Sequence, residues 1–97
     1  MANDITAIKN REIRGCIIRA LGKSDGRPIS QKSLAMALIS VTTDIAPHLY
    51  YLGDKGYIRV TDVGDDEIHG VNCVVQLTAK GIDLLEGSIA DDPGVTI

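Results

Sequence analysis

The spacing of apolar residues changes from a helical period to an alternating period just after Gly56, and this change limits the folds available to the chain most strongly. Before Gly56, apolar residues recur at intervals of three and four, as on one face of a helix; after it, two short segments alternate as strands do. The helical segments are 4–22, 31–39, a third ending at Gly56, and 79–89; the strand segments are 57–63 and 71–77. We therefore expect an α+β domain with three helices, a two-stranded hairpin and a C-terminal helix.

Short polar residues and turn formers mark the ends of these segments. A Ser, Thr or Asp side chain just before a helix accepts a hydrogen bond from its first turn. The predicted caps are Ser30, Thr78, and one of Thr42, Thr43 and Asp44. Gly56 is predicted to close the third helix in the left-handed conformation. Ile5 and Ile8 are out of phase with the later apolar stripe of the first helix. That helix therefore either starts near Asn10 or turns its first residues toward another surface.

The length of 97 residues allows one core, and the absence of Phe and Trp makes that core aliphatic. We predict a domain over residues 1–89 and an irregular acidic tail over residues 90–97. No apolar run approaches the roughly 18 residues that span a bilayer, and no signal-peptide pattern is present. Two Cys do not make a disulfide framework. These features favour a cytoplasmic protein.

Two stretches of the sequence resemble known proteins. Residues 45–58 (IAPHLYYLGDKGYI) resemble the helix-to-strand stretch of ArsR- and MarR-like winged helix-turn-helix proteins, and residues 77–81 (LTAKG) resemble the entry to their final helix. Gly87 and the Pro93-Gly94-Val95 sequence make this end most similar to small winged-helix proteins encoded by Mu-like prophages. The resemblance implies a winged helix-turn-helix fold, a phage or prophage origin, and a place in the host cytoplasm as a DNA-binding transcriptional regulator.

Charge is distributed unevenly along the chain. Residues 1–32 carry seven Lys or Arg and three Asp or Glu, whereas residues 33–97 carry three and ten. Affinity for DNA depends on neutralising phosphates, so an acidic third helix and hairpin loop oppose the usual docking of a winged helix. If double-stranded DNA is bound, the candidate contacts are Arg27, Lys32, Thr42, Thr43, His48, Tyr51, Lys55 and His69.

The alternative function is binding to a phage or host protein. Tyr side chains suit interfaces because they combine apolar area with a hydrogen-bonding tip. Apolar residues outside the main stripe of the first helix also favour association of two copies as a homodimer. The candidate interface residues are Ile5, Ile8, Ile18, Tyr50, Tyr51 and Ile68.

Catalytic and metal-binding patterns are not found in the sequence. Cys16 and Cys73 lie at inward positions and are predicted to be buried free thiols. The two His residues have no partner at a metal-ligand spacing, and no phosphate loop or nucleophile motif occurs. We therefore predict no catalytic residues, no metal and no cofactor.

Overall fold

The computed structural model describes residues 4–66 and 70–97, without the side chains of 65, 66 and 70–72. The described part is an α+β domain, as predicted, in which helices pack with one antiparallel sheet. Its elements are α1 (Ile5–Gly22), β1 (Ile29–Ser30), α2 (Gln31–Ala37), α3 (Ala46–Asp54), β2 (Ile58–Asp66), β3 (Gly70–Leu77) and α4 (Ala79–Glu86).

Helix α1 begins at the earlier of the two predicted positions. The Asp4 side chain caps it by accepting a hydrogen bond from the Thr6 amide at 2.7 Å, so the first two turns are helical. Ile5 and Ile8 are 81% and 46% exposed. The prediction that Ile18 forms an exposed interface was wrong. It is fully buried with its neighbour Ile17, because α1 is covered on two adjacent sides.

The start of α2 agrees with the prediction, whereas the start of α3 does not. Ser30 caps α2 as predicted, accepting from the Ser33 amide at 3.0 Å. Helix α3 has Ile45 at its N-cap position, with no side-chain cap bond. The Asp44 carboxylate instead accepts from the Ala46 amide at 3.1 Å, which forms a turn just ahead of the helix. Gly56 has a φ of +84°, so its predicted left-handed conformation is confirmed.

The sheet has the strand order β1-β3-β2, with antiparallel pairing throughout. Ile58 faces Leu77 at the start of the hairpin, and a register shift lies between Asp62 and Gly64. The strands continue to residue 66 and from residue 70, beyond the predicted limits. The rest of the predicted loop, residues 67–69, lies outside the described residues.

The core is aliphatic, as expected, and includes part of the predicted tail. Thr78 caps α4 as predicted, accepting from the Gly81 amide at 3.1 Å. Leu84 is the most deeply buried apolar side chain of α4, and the partly buried side chains of Ile82, Leu85 and Ile89 pack against the core. Residues 90–97 form neither helix nor strand, yet Val95 is only 5% exposed and belongs to the core. The 91–97 segment therefore packs against the domain.

Among the helices of the described residues, none is long and apolar enough to cross a membrane.

Candidate recognition surface

Helix α3 exposes a face that carries aromatic and acidic side chains but no Lys or Arg. His48, Leu49 and Leu52 are buried against the core, because they recur at three- and four-residue intervals. The opposite side, here called the α3 face, consists of Pro47, Tyr50, Gly53 and Asp54. Tyr50 is 77% exposed and is the largest side chain on this face. Helix α3 contains no Lys or Arg. Its exposed face is therefore aromatic and acidic.

A groove of about 380 Å³ lies beside this face, between α3 and the sheet. Its lining residues are Gln31, Ala46, Leu49, Tyr50, Gly53, Asp54, Ile58, Val60 and Cys73. None of these residues is basic. Val60, on the edge strand β2, is 43% exposed although its partner in the sheet, Val75, is fully buried. The exposed carboxylates of Asp44 and Asp62 belong to the segments that enter α3 and continue β2. The groove is thus lined mainly by apolar residues, and acidic side chains belong to the segments next to it.

Asp92 joins the 91–97 segment to the end of α3 and the start of β2. Its carboxylate accepts from the Tyr57 hydroxyl at 2.6 Å and from the Gly94 amide at 2.8 Å, and it pairs with the Lys55 ammonium at 3.1 Å. Burial alone would raise the pKa of Asp92, but these three donors lower it below its ordinary value. Burial, followed by the bond to Asp92, raises the pKa of Tyr57 to about 12. Asp92 is therefore a charged acceptor at neutral pH.

Arg14 extends this contact from α1 to α3. Its guanidinium lies 3.7 Å from the centre of the Tyr51 ring, and Nη1 donates to the Gly94 carbonyl at 3.1 Å. The Tyr51 hydroxyl occupies the position that a β-carbon on Gly94 would need. Only glycine allows the chain to pass Tyr51 so closely.

The last part of the 91–97 segment lies along α1. The Thr96 amide donates to the Arg11 carbonyl at 3.1 Å, and Arg19 Nη1 donates to the Thr96 carbonyl at 3.3 Å. A β-carbon at Gly15 would collide with that carbonyl. Together with the burial of Val95, these contacts fix the segment across α1, α3 and β2.

Three of the predicted DNA contacts, Lys55, Tyr51 and Thr42, interact with other residues of the chain. Lys55 pairs with Asp92, which raises the pKa of Lys55, first through the hydrogen bond and then through charge. Tyr51 lies against Arg14 rather than at the surface of the α3 face. The Thr42 hydroxyl lies 3.3 Å from the carbonyl oxygen of Asp44, and its oxygen accepts from the Asp44 amide. Contact of these three side chains with DNA would therefore compete with the interactions they make within the chain, and it stays a prediction.

His48, another predicted DNA contact, is buried rather than flanking the exposed face. Burial, then the nearby charge of Arg14, lowers its pKa, although Asp44 acts in the opposite direction. Its imidazole is therefore neutral at pH 7. Its Nδ1 atom has no hydrogen-bond partner among the described residues. The prediction that His48 reaches a DNA groove was wrong, because the helix turns it toward the core.

The remaining candidates fall into three groups. Arg27, Lys32 and Thr43 are exposed, as contact with DNA would require. Tyr50, Ile5 and Ile8 are exposed, as a protein interface would require. His69 and Ile68 lie outside the described residues. Cys16 and Cys73 are free and only partly buried, and the described residues contain no cluster of His, Cys, Asp or Glu suited to a metal ion.

Sequence reasoning did not identify Asp92 and Arg14 as the residues that connect the 91–97 segment to the rest of the fold. It also did not place Val60 in a groove. Asp92 lies 35 residues from Tyr57, so no local spacing relates the two. Its signal was indirect: the Pro93-Gly94-Val95 sequence that follows it is unusual after a terminal helix. Val60 has the spacing of an ordinary inward strand residue and gave no separate signal.

Comparisons of the chain with protein-family models, with curated proteins and with solved structures find no match.

Proposed function

We propose that this protein is a winged helix-turn-helix domain that binds another protein, from the phage or the host, through the α3 face and the adjoining groove. The element order supports this proposal: α2 and α3 follow each other in the order that a helix-turn-helix has, and β2 and β3 follow them in the order of a wing. The helices and the order β1-β3-β2 are compatible with that architecture.

The observation that carries the function is the environment of Tyr50. This side chain is 77% exposed on a helix that has no cation, with Asp54 beside it and Asp44 just before the helix. Phosphates would be repelled by those carboxylates, and Lys55, which directly follows the helix, is paired with Asp92. An exposed tyrosine beside an apolar groove is typical of a protein interface.

The experiment replaces Tyr50 with a photoreactive phenylalanine analogue in cells that hold the partner. The control places the same analogue at Met36, which is 72% exposed but is not among the groove-lining residues. We expect position 50 to cross-link one protein that also binds the unlabelled chain when both are purified. Asp54→Lys should weaken that purified complex at least tenfold. Equal cross-linking from both positions, or binding insensitive to Asp54, would contradict the proposal.

DNA binding is the second candidate, and it is favoured by two exposed cations near the start of α2. Lys32 lies in the first turn of α2, and Arg27 precedes β1. Exposed Lys and Arg side chains commonly contact phosphates. Fluorescence anisotropy with random duplex DNA across a salt series tests this function. Micromolar binding with a log–log salt slope that falls by about 1 in Lys32→Ala would favour it. Loss of that binding in Tyr50→Ala would instead place the DNA on α3.

A further inference from the structure

We propose that a cavity between α1, α3 and the 91–97 segment binds a small organic molecule that carries a phosphate group. The cavity has a volume of about 310 Å³, and residues from all three parts of the chain line it. Among the described residues, none lines both this cavity and the groove beside α3. The inference therefore goes beyond the proposed function and does not depend on it.

Helix α1 supplies one wall of this cavity. Its four lining residues are spaced as i, i+3, i+4 and i+7, which places them on one face of the helix: Ala7, Asn10, Arg11 and Arg14. The Asn10 amide and the two guanidinium groups contain hydrogen-bond donors, and the planar fork of an arginine matches the oxygens of a phosphate. No Asp or Glu belongs to the described lining. This wall therefore offers donors and positive charge to a ligand.

The charge of Arg14 has no carboxylate partner within the described part of the chain. Its guanidinium contacts two uncharged groups, the Tyr51 ring at 3.7 Å and the Gly94 carbonyl at 3.1 Å. Charged groups that are partly removed from water ordinarily pair with an opposite charge. The same charge lowers the pKa of His48, after the larger effect of burial. An anion in the cavity would supply the missing counter-charge.

The size and the other walls of the cavity favour a small organic phosphate. One water molecule occupies about 30 Å³ in the liquid, so about 310 Å³ exceeds what a single phosphate ion needs. A phosphate monoester carries a charge of about −1.5 to −2 at neutral pH, more than a single carboxylate carries, and two arginines lie in the lining. Ala7 and Pro93 provide apolar contact for a short carbon chain. Apart from Pro93, the lining residues are half-buried, which suits a small ligand better than a nucleic-acid backbone.

Three ligands that share a short carbon chain and differ in charge test the inference: ethyl phosphate, propionate and propanol. Binding is followed by the backbone amide signals of the isotope-labelled full chain in NMR spectra, at an ionic strength held constant with sodium chloride. Ala7→Glu places a carboxylate in the lining and removes no side-chain hydrogen bond. Lys9→Gln is its matched control, because it changes the net charge equally at an exposed position of α1 outside the lining.

We expect ethyl phosphate to shift the amide signals of Ala7, Arg14 and Gly94 with a dissociation constant in the millimolar range or below. Propionate should bind at least tenfold more weakly, and propanol should cause no shift. Ala7→Glu should weaken the binding of ethyl phosphate at least tenfold by like-charge repulsion, and Lys9→Gln by no more than about threefold. Arg14→Gln should also weaken it at least tenfold, and Ala7→Glu keeps the test decisive if that variant does not fold.

Three results would overturn the inference: no shift with ethyl phosphate, equal affinity for propionate, or equal effects of Ala7→Glu and Lys9→Gln. Displacement of ethyl phosphate from these residues by random duplex DNA would assign the site to nucleic-acid phosphates and would also overturn it. Cross-linking from position 50 is unaffected by any of these results, because Tyr50 lies on the α3 face. The failure of this inference and the failure of the proposed function are therefore distinguishable.

Discussion

Asp92 connects three parts of the fold through one carboxylate. Its partners are Tyr57, which directly precedes β2, Lys55, which directly follows α3, and Gly94 in the same turn. Hydrogen bonds to a charged acceptor are stronger than neutral ones, and leaving the Tyr57 hydroxyl without its acceptor adds a further penalty. The stabilisation depends on the ionised form of Asp92.

Replacing Asp92 with Asn should lower the unfolding free energy at pH 7 by about 1–2 kcal/mol. Asp91→Asn is the matched control, because it removes the same charge from an exposed neighbour, and it should change stability by less than about 0.5 kcal/mol. Urea unfolding at several pH values checks both. The folded-state pKa of Asp92 lies below its ordinary value of 3.8, so its contribution is present above that value and is lost as the pH falls through the folded-state pKa. A gap between the two variants that persists unchanged at the lowest pH would contradict this account.

His48 gives the chain a second pH dependence, at higher pH. Its pKa is lowered from 6.5 because burial and Arg14 oppose its charged form. The unfolded chain therefore takes up the proton first, and stability falls as the pH drops below about 6.5. His48→Leu should reduce the decline in unfolding free energy between pH 7 and pH 5, measured by urea unfolding. An equal decline in the variant would show that His48 does not contribute to it.

At the scale of elements, glycines in two helices have opposite surroundings. Gly53 in α3 faces open space, whereas a β-carbon at Gly15 in α1 would meet the Thr96 carbonyl. Gly-to-Ala substitution inside a helix ordinarily stabilises by about 0.5–1 kcal/mol. The same substitution should therefore act differently in the two helices.

Thermal and urea unfolding should show Gly53→Ala to be more stable by about 0.5–1 kcal/mol, since its methyl group touches nothing. Gly15→Ala should be less stable than the natural chain, because the helix gain is outweighed by displacement of Thr96. If Gly15→Ala were stabilised as much as Gly53→Ala, the 91–97 segment would not pack against α1.

The elements themselves were largely predictable from local pattern. Ser30, Thr78 and Gly56 mark helix ends by chemistry that acts within a few residues, and each behaves as its type predicts. The start of α3 was not predictable, because three adjacent residues can cap a helix and Asp44 forms a turn instead. Strand β1 was missed since its two residues are held only by pairing with β3, which is remote in sequence.

At the scale of the whole molecule, the 91–97 segment contributes a buried side chain to the core although it is neither helix nor strand. Val95 is 5% exposed, and the segment contacts α1, α3 and the residues before β2. Hydrophobic spacing could not predict this, because a single Val after a polar turn carries no period. The candidate surface was only half predictable for the same reason: Tyr50 was identified, but the pairing that occupies Lys55 was not.

Deleting residues 91–97 should lower the unfolding free energy by about 2–4 kcal/mol. Burial of one Val side chain contributes about 1.5–3 kcal/mol, and the bonds made by Asp92 add to it. Val95→Ala should reproduce part of the loss, and hydrogen exchange should accelerate along the part of α1 that Thr96 covers. Unchanged stability after the deletion would contradict the role given to this segment.

The three tyrosines, which are the only aromatic residues of the sequence, confine the near-ultraviolet signal to α3 and the residues just after it. With neither Trp nor Phe in the chain, the near-ultraviolet signal comes from Tyr50, Tyr51 and Tyr57, all within α3 and the entry to β2. Their settings differ: one is open to solvent, one lies under a guanidinium and one is bonded to a carboxylate. Near-ultraviolet dichroism therefore reports on α3 and the 91–97 segment, while far-ultraviolet dichroism reports on all helices. A mismatch between the two melting curves would reveal that this end of the domain opens before the rest.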